Sequence, residues 1–155
     1  MLSSVLVLDA NIIIRSVLGN KVRNFIIEYN TKIDFITPDA CIDDAEEYLP
    51  IIFKKKGLSG KASLDVLKHI KPLFQIIEHE VYQERMIEAK ERMRNKDLDD
   101  WPVVATALLF NCPIWTEDKD FFGVGVPTWT TDRIHILFNS VNERLMADNI
   151  LNEPS

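Results

Sequence analysis

Residues 98–122 read LDDWPVVATALLFNCPIWTEDKDFF. Acids stand ahead of one apolar run, VVATALLF, and behind a second, PIW. Pro102 falls where the first turn of a helix leaves an N–H without a partner in any case, and acids before it favour a helix N-terminus. The stretch from Asp97 to Phe110 therefore predicts a helix, and CPIWT (112–116) a strand. A helix packed on a sheet starts at the edge where the strand it leads into ends. Both sets of acids then lie at that one edge, with core between them.

The same alternation extends outward. SSVLVLD (3–9) is a short apolar run closed by Asp9, the pattern of a strand buried on both faces. ANIIIRSVLG predicts a helix stopped by Gly19, and KVRNFIIEYN a second amphipathic helix. KIDFITP alternates and is closed by Pro38, a second strand. DACIDDAEEYLPIIFKKKG (39–57) reads as a helix kinked or broken at Pro50 and ended by Gly57. SGKASLDVLKHIKPLF (59–74) reads as a helix and FQIIEHEV (74–81) as a strand. YQERMIEAKERMRNK (82–96) predicts one strong helix with Glu84, Glu88 and Arg92 at i, i+4 spacing. TWTTDRI (128–134) follows the turn-rich GVGVP as a last strand, and a helix over about 140–151 ends the chain. Strands separated by helices specify an α/β fold, a three-layer α/β/α sandwich around a parallel sheet. The length of 155 residues suits one domain spanning 1–155, with its core at about 4–132.

In such a sheet, ligands bind beyond the carboxyl ends of the strands. Asp9 follows VLVL and Asp118 follows PIWTE, so both can face one crevice. Asp99 and Asp100 precede a helix, and Asp43 and Asp44 lie within another. Crowded carboxylates repel, and each has its pKa raised. A divalent cation with hard oxygen ligands removes that conflict, and it can also activate water and steady a phosphoryl group. Each acid also has a plainer use. Asp9, Asp99 and Asp100 could cap helices, Asp43, Asp44, Glu46 and Glu47 could form a solvated face, and Glu117, Asp118 and Asp120 could be turn residues. Neighbouring helical side chains diverge by about 100°, so Asp99 and Asp100 cannot both be ligands in the same way.

Composition narrows the rest. Hydrophobic residues make up 46% and charged residues 27%, as in soluble globular proteins. No apolar run reaches membrane-spanning length, and the N-terminus lacks the features of a signal peptide. Cys41 and Cys112, far apart in apolar surroundings, read as buried thiols of a cytoplasmic protein. Three histidines without metal-ligand spacing argue against zinc. A net charge of −6 counts against nucleic acid as a partner, unless the acids gather at a metal site and bases lie elsewhere. Lys54, Lys55, Lys56, Lys61, Arg85, Arg92, Arg94 and Lys96 are the cations for such contacts, although a solvated helix face explains most of them. Trp101 could stack on bases, whereas Trp115 sits inside a strand and belongs to the core.

Four stretches, VLVLDANIII, ITPDACIDDAEEYL, DLDDWPVVATAL and PIWTEDKDFF, together resemble the PIN domain over roughly residues 4–132. On that resemblance Asp9 matches the family's first acid and Asn11 the polar residue that supports it. Asp100 matches the third acid, Asp118 the fourth and Thr116 its small hydroxyl residue, with Asp99 and Asp120 as supporting neighbours. The second acid in the family is most often Glu followed by an apolar residue. Asp44 with Ala45 fits best here, and Asp43 and Glu47 are the alternatives. The resemblance implies an endoribonuclease using Mg²⁺ or Mn²⁺ held by Asp9, Asp44, Asp100 and Asp118. It also implies an RNA substrate, a small antitoxin partner of a toxin–antitoxin pair, and a homodimer formed through the helices at 11–30 and 58–73. The competing expectation is a catalytically weakened module that binds RNA or protein, motivated by Asp in place of Glu. Phosphoacceptor and haloacid-phosphatase domains fit less well, because the chain has Asp9-Ala10-Asn11 and not Asp-x-Asp.

Overall fold

Each of the five expected strands has a counterpart in the computed structural model, which describes residues 4–152. Ser3, the expected start of the first strand, and the two ends of the 1–155 span lie outside the described residues. β1 (Ser4–Leu8), β2 (Ile33–Pro38), β3 (Gln75–Ile77), β4 (Ile114–Trp115) and β5 (Thr128–Trp129) form one sheet in the order β3-β2-β1-β4-β5. All pairings are parallel. The three short apolar runs at its centre, LVL (6–8), FITP and IW, are buried, as a sheet covered on both faces requires.

The helices are α1 (Ala10–Leu18), α2 (Asn20–Tyr29), α3 (Asp39–Lys55), α4 (Gly60–Ile70), α5 (His79–Tyr82), α6 (Met86–Arg92), α7 (Trp101–Phe110) and α8 (Ile134–Leu151). α1 packs on α2, α3 and α4, while α7 packs on β1 and β2 and carries α5 and α6 against it. This is the expected three-layer arrangement. α7 is buried from Pro102 to Ala107 and is apolar all round, which marks an interior helix. Trp115 is fully buried, stacks edge-on to Phe138 and donates its indole N–H to Thr131 Oγ1 at 3.1 Å. Its assignment to the core therefore holds.

Local expectations fail where tertiary contacts override propensity. α3 runs unbroken through Pro50, because Leu49 and Phe53 anchor both sides of it in the core. The expected helix over 82–96 is divided: a 3-10 turn at Gln83–Arg85 separates α5 from α6, and only the Glu88–Arg92 pair of the expected ladder forms, at 3.0 Å. β3 and β5 are shorter than expected, because Glu78 passes into α5 and Thr131–Arg133 turn into α8. α8 starts at Ile134, ahead of the expected 140, since Ile134 and Phe138 are core residues that fix its first turns. Gly125 is required where it stands: its φ is 84°, and a Cβ there would lie 2.3 Å from Arg92 Nη1.

Candidate active site

The sheet reverses direction beside β1. From β1 the chain moves outward through β2 and β3, and β4 and β5 then extend the other side. The crevice between the ends of β1 and β4 is thus the switch point at which parallel sheets bind ligands. Asp9 and Thr116 are the residues that immediately follow these two strands.

Asp9 is 6% exposed and sits in a saturated network. Its Oδ1 accepts the Ala10 N–H at 2.8 Å, which caps α1. Its Oδ2 accepts from Asn11 Nδ2 at 2.8 Å and from the Thr116 hydroxyl at 2.6 Å. A hydroxyl has one proton to give and two lone pairs. Thr116 Oγ1 gives its proton to Asp9 and accepts from Asn11 Nδ2 at 3.2 Å and from the Asp118 N–H at 2.9 Å. Asn11 Oδ1 in turn accepts the Glu117 N–H at 3.1 Å. The network locks the start of α1 to the loop after β4. Asp118 Oδ1 then accepts the Asp120 N–H at 2.9 Å and caps the 3-10 turn Lys119–Phe121.

Asp100 arrives from the other side of the crevice. It ends the 3-10 turn Leu98–Asp100, whose cap is Asp97, accepting the Asp99 N–H at 3.0 Å. Capping is therefore done by a third acid, and Asp100 is left to face Asp118 and Asp120. One oxygen from each of these three side chains lies within 4.8 Å of the other two. Among the described residues this is the one group of three or more metal-capable side chains so placed. Asp120, a secondary candidate in the sequence, stands in the cluster itself.

Electrostatics follow the crowding. The Asp100 carboxyl is pushed up to about 7, first by burial and then by repulsion from Asp9, Asp97, Asp118 and Asp120. Asp9 is also raised, chiefly by burial, with Thr116 and Ala10 opposing and Asp118 and Asp44 adding. Cys41 Sγ lies 4.0 Å from Asp9 Oδ1, and burial followed by the Asp9 charge keeps it a neutral thiol. The donor set is carboxylate oxygen, which suits Mg²⁺ or Mn²⁺ over softer ions. Two divalent charges or one would offset the repulsion that raises Asp9 and Asp100.

The α3 acids are placed differently. Asp43, Asp44 and Glu47 are exposed, and Asp44 does not join the cluster. The Asp44 carboxyl is raised by its partial burial first, then by Glu47, Asp43 and Asp99. Asp99 and Asp100 therefore diverge: the Asp99 charge bears on Asp44, and Asp100 faces the cluster.

One residue of the site's framework escaped the sequence reading. Asp39 follows β2 as Asp9 follows β1, and its carboxylate accepts from Ala40 N at 2.8 Å, Tyr82 OH at 2.7 Å and His79 N at 3.0 Å. It ties α3 to α5 at the crevice edge. The acid-after-strand signal that found Asp9 marks it equally well. Several cations considered for nucleic acid are already engaged: Arg85 and Arg92 with Glu88, Arg94 with Glu91, and Lys96 with the Phe122 carbonyl. Lys54, Lys55, Lys56 and Lys61 are exposed.

The family profile described as the PIN domain matches residues 7–139. No curated protein sequence matches the chain. Among solved structures, PAE2754 from Pyrobaculum aerophilum is similar with a TM-score of 0.65 at 15% identity, over 92% of this chain and 99% of that one. FitAcB from Neisseria gonorrhoeae gives 0.60 at 17% identity over 81% and 97%. VapBC2 from Rickettsia felis, bound to a DNA fragment from its promoter, gives 0.59 at 12% identity over 81% and 98%. At these identities the likeness is one of fold. No helix among the described residues is long and apolar enough to cross a membrane.

Proposed function

The chain belongs to the PIN domain family, and from that membership we propose that it is a divalent-metal-dependent endoribonuclease, the toxin component of a toxin–antitoxin pair. The observation that carries the reading is the convergence of Asp100, Asp118 and Asp120 beside the buried Asp9 at the sheet's switch point. PIN-domain proteins are typically nucleases, and a structure that shares this fold is a toxin–antitoxin complex from Klebsiella pneumoniae.

Asp9, Asp100, Asp118 and Asp120 would hold the Mg²⁺ or Mn²⁺, with Asp44 reaching in from α3. Such an ion, when bound, supplies a water of lowered pKa and steadies the charge on the phosphodiester. The protein's own part is preorganisation. Asn11 and Thr116 fix both the position and the hydrogen-bond state of Asp9, so its charge is not free to turn away. Asp97 and Asp118 hold the turns that carry Asp100 and Asp120. Hydrolysis of RNA at this site leaves a 3′-hydroxyl and a 5′-phosphate. A small antitoxin would cover the acidic crevice. A homodimer would use α2 and α4, where Ile27 and Leu64 are exposed. The protein acts as one domain over 1–155, in the cytoplasm.

The exposed, shorter Asp44 favours one second reading, a weakened module that binds RNA without cutting it. A cleavage assay in Mn²⁺ on wild type, Asp9→Asn and Asp100→Asn separates the two. Activity in wild type that both variants lose supports the nuclease. Equal residual activity in all three removes it.

A further inference from the structure

A cavity of about 380 Å³ opens between the α1–α2 segment and the loops that follow β4 and β5. Arg15, Leu18, Lys21, Val22, Glu117 and Asp132 line it. It is continuous with the site in the chain itself: Glu117 lies between Thr116 and Asp118, and its backbone N–H is held by Asn11 at 3.1 Å. A chain of RNA whose phosphate lies on the acids would therefore reach this cavity with an adjoining nucleotide.

The lining selects which part of a nucleotide fits. The lining combines two cations, Arg15 and Lys21, two carboxylates, Glu117 and Asp132, and the apolar side chains of Leu18 and Val22. A phosphate gains little from so balanced a set of charges, whereas a flat, neutral, hydrogen-bonding ring against apolar side chains gains much. The two groups nearest the acids define its edges. The Glu117 carboxylate accepts the Thr131 N–H at 2.8 Å, which fixes its position, and it has lone pairs to spare. Arg15 lies 3.8 Å from it, with its side chain 51% exposed, and so loose an ion pair opens at little cost. A carboxylate wants two adjacent donors and a guanidinium wants two adjacent acceptors. Guanine carries both, with N1–H and N2–H on one edge and O6 and N7 on the next. Uracil has no amino group to offer Glu117.

We propose that this cavity is a base-recognition site that holds an unpaired guanine of the RNA next to the bond to be cut, with Glu117 and Arg15 reading its edges. The assignment rests on the reading above that RNA is the ligand, but it is tested without cleavage. Wild type in EDTA is titrated with fluorescent U-rich 12-mer RNAs that carry one central G, A, C or U. The G-containing RNA is expected to bind about tenfold tighter than the all-U RNA, in line with one bidentate base contact. Glu117→Gln and Arg15→Ala should each reduce that preference to within about twofold. Arg15 is exposed, so its variant keeps the proposal testable should Glu117→Gln disturb the loop. Equal binding of all four RNAs, or a preference for G that both variants retain, overturns the assignment. The same RNAs are then incubated with Mn²⁺. A G preference in binding with no cleavage refutes the nuclease and leaves the cavity's role standing. Cleavage without base preference at the neighbouring position refutes the cavity's role and leaves the nuclease standing.

Discussion

Two sets of acids line the crevice, and they differ in what holds them. On the β1–β4 side, the carboxylates of Asp9 and Asp118 are fixed through Thr116, Asn11 and backbone N–H groups, and the turn that Asp118 caps carries Asp120. On the α3 side, Asp43, Asp44 and Glu47 stand exposed and repel one another. The first set is preorganised by the fold before any ion arrives. The second would have to be ordered by the ion. Preorganised groups stabilise a transition state without reorganisation at the moment of reaction, so the first set should dominate catalysis.

The largest test of that contrast is cleavage in Mn²⁺. Asp118→Asn should lower the rate by about 10³-fold or more, as removal of a metal ligand does, while Asp44→Asn should lower it by only about tenfold. Single-turnover rates on one RNA decide this. If the two variants lose activity equally, the division into a fixed and an exposed set fails, and α3 is part of the core of the site.

Thr116→Val tests the fixed set without touching a charge. The substitution keeps the shape and removes the hydroxyl that joins Asp9, Asn11 and the Asp118 N–H. A buried carboxylate and part-buried N–H groups then lose a partner, at a cost of about 2–3 kcal/mol. For a domain of this size that is a fall in Tm of about 5–10 °C. Asp44→Ala, on an exposed face, should move Tm by no more than about 1–2 °C. Thermal unfolding of both in the same buffer gives the comparison.

The contrast also explains which parts were legible in the sequence. Asp9 and Asp118 could be read because strand ends are well marked by apolar runs, and parallel topology sends all such ends to one edge. Asp100 could be read from Pro102, which fixes the first turn of α7. Asp120 reads from the sequence only as a supporting neighbour, because the turn capped by Asp118 is what brings it to Asp100. Asp39 was passed over although it follows β2, since its partners Tyr82 and His79 come from α5, and no local pattern announces that contact. The unbroken passage of α3 through Pro50 is of the same kind: the core on both sides outweighs the local signal. The phase of α3, and with it the reach of Asp44, depends on that packing and is not written in ITPDACIDDAEEYL alone.

A smaller effect is pH-dependent. In the unfolded chain Asp100 titrates at about 3.9, whereas in the fold it is raised to about 7. The folded state thus binds the extra proton between these values. Stability in EDTA should rise as pH falls from about 7 towards 4, and be lost as pH rises through 7. Asp100 is only partly buried, so solvent screening leaves about 1–2 kcal/mol of the effect, or roughly 2–6 °C in Tm between pH 5 and 8. Asp100→Asn should flatten the profile and raise Tm at pH 8. Saturating Mn²⁺ should flatten it as well, because a cation favours the charged form. An Asp100→Asn profile parallel to wild type would place the repulsion elsewhere.

The smallest effect belongs to the exposed set, and its sign is the informative part. If Asp44 reaches the ion only by extending from α3, a longer side chain should reach it more easily. Asp44→Glu should then bind Mn²⁺ about two- to threefold tighter than wild type and Asp44→Ala more weakly, a span of about 1 kcal/mol, as for other exposed charges. Neutralising a neighbour separates reach from repulsion. Asp43→Asn and Glu47→Gln relieve the crowding that raises Asp44 and leave its length unchanged. Should they match the gain from Asp44→Glu, repulsion on the Asp44 carboxylate, and not its reach, limits binding. Should Asp44→Glu alone tighten binding, Asp44 is a ligand in its own right. If Asp44→Glu and Asp44→Ala bind Mn²⁺ alike, α3 contributes neither reach nor field, and the three clustered aspartates with Asp9 are the whole of the site.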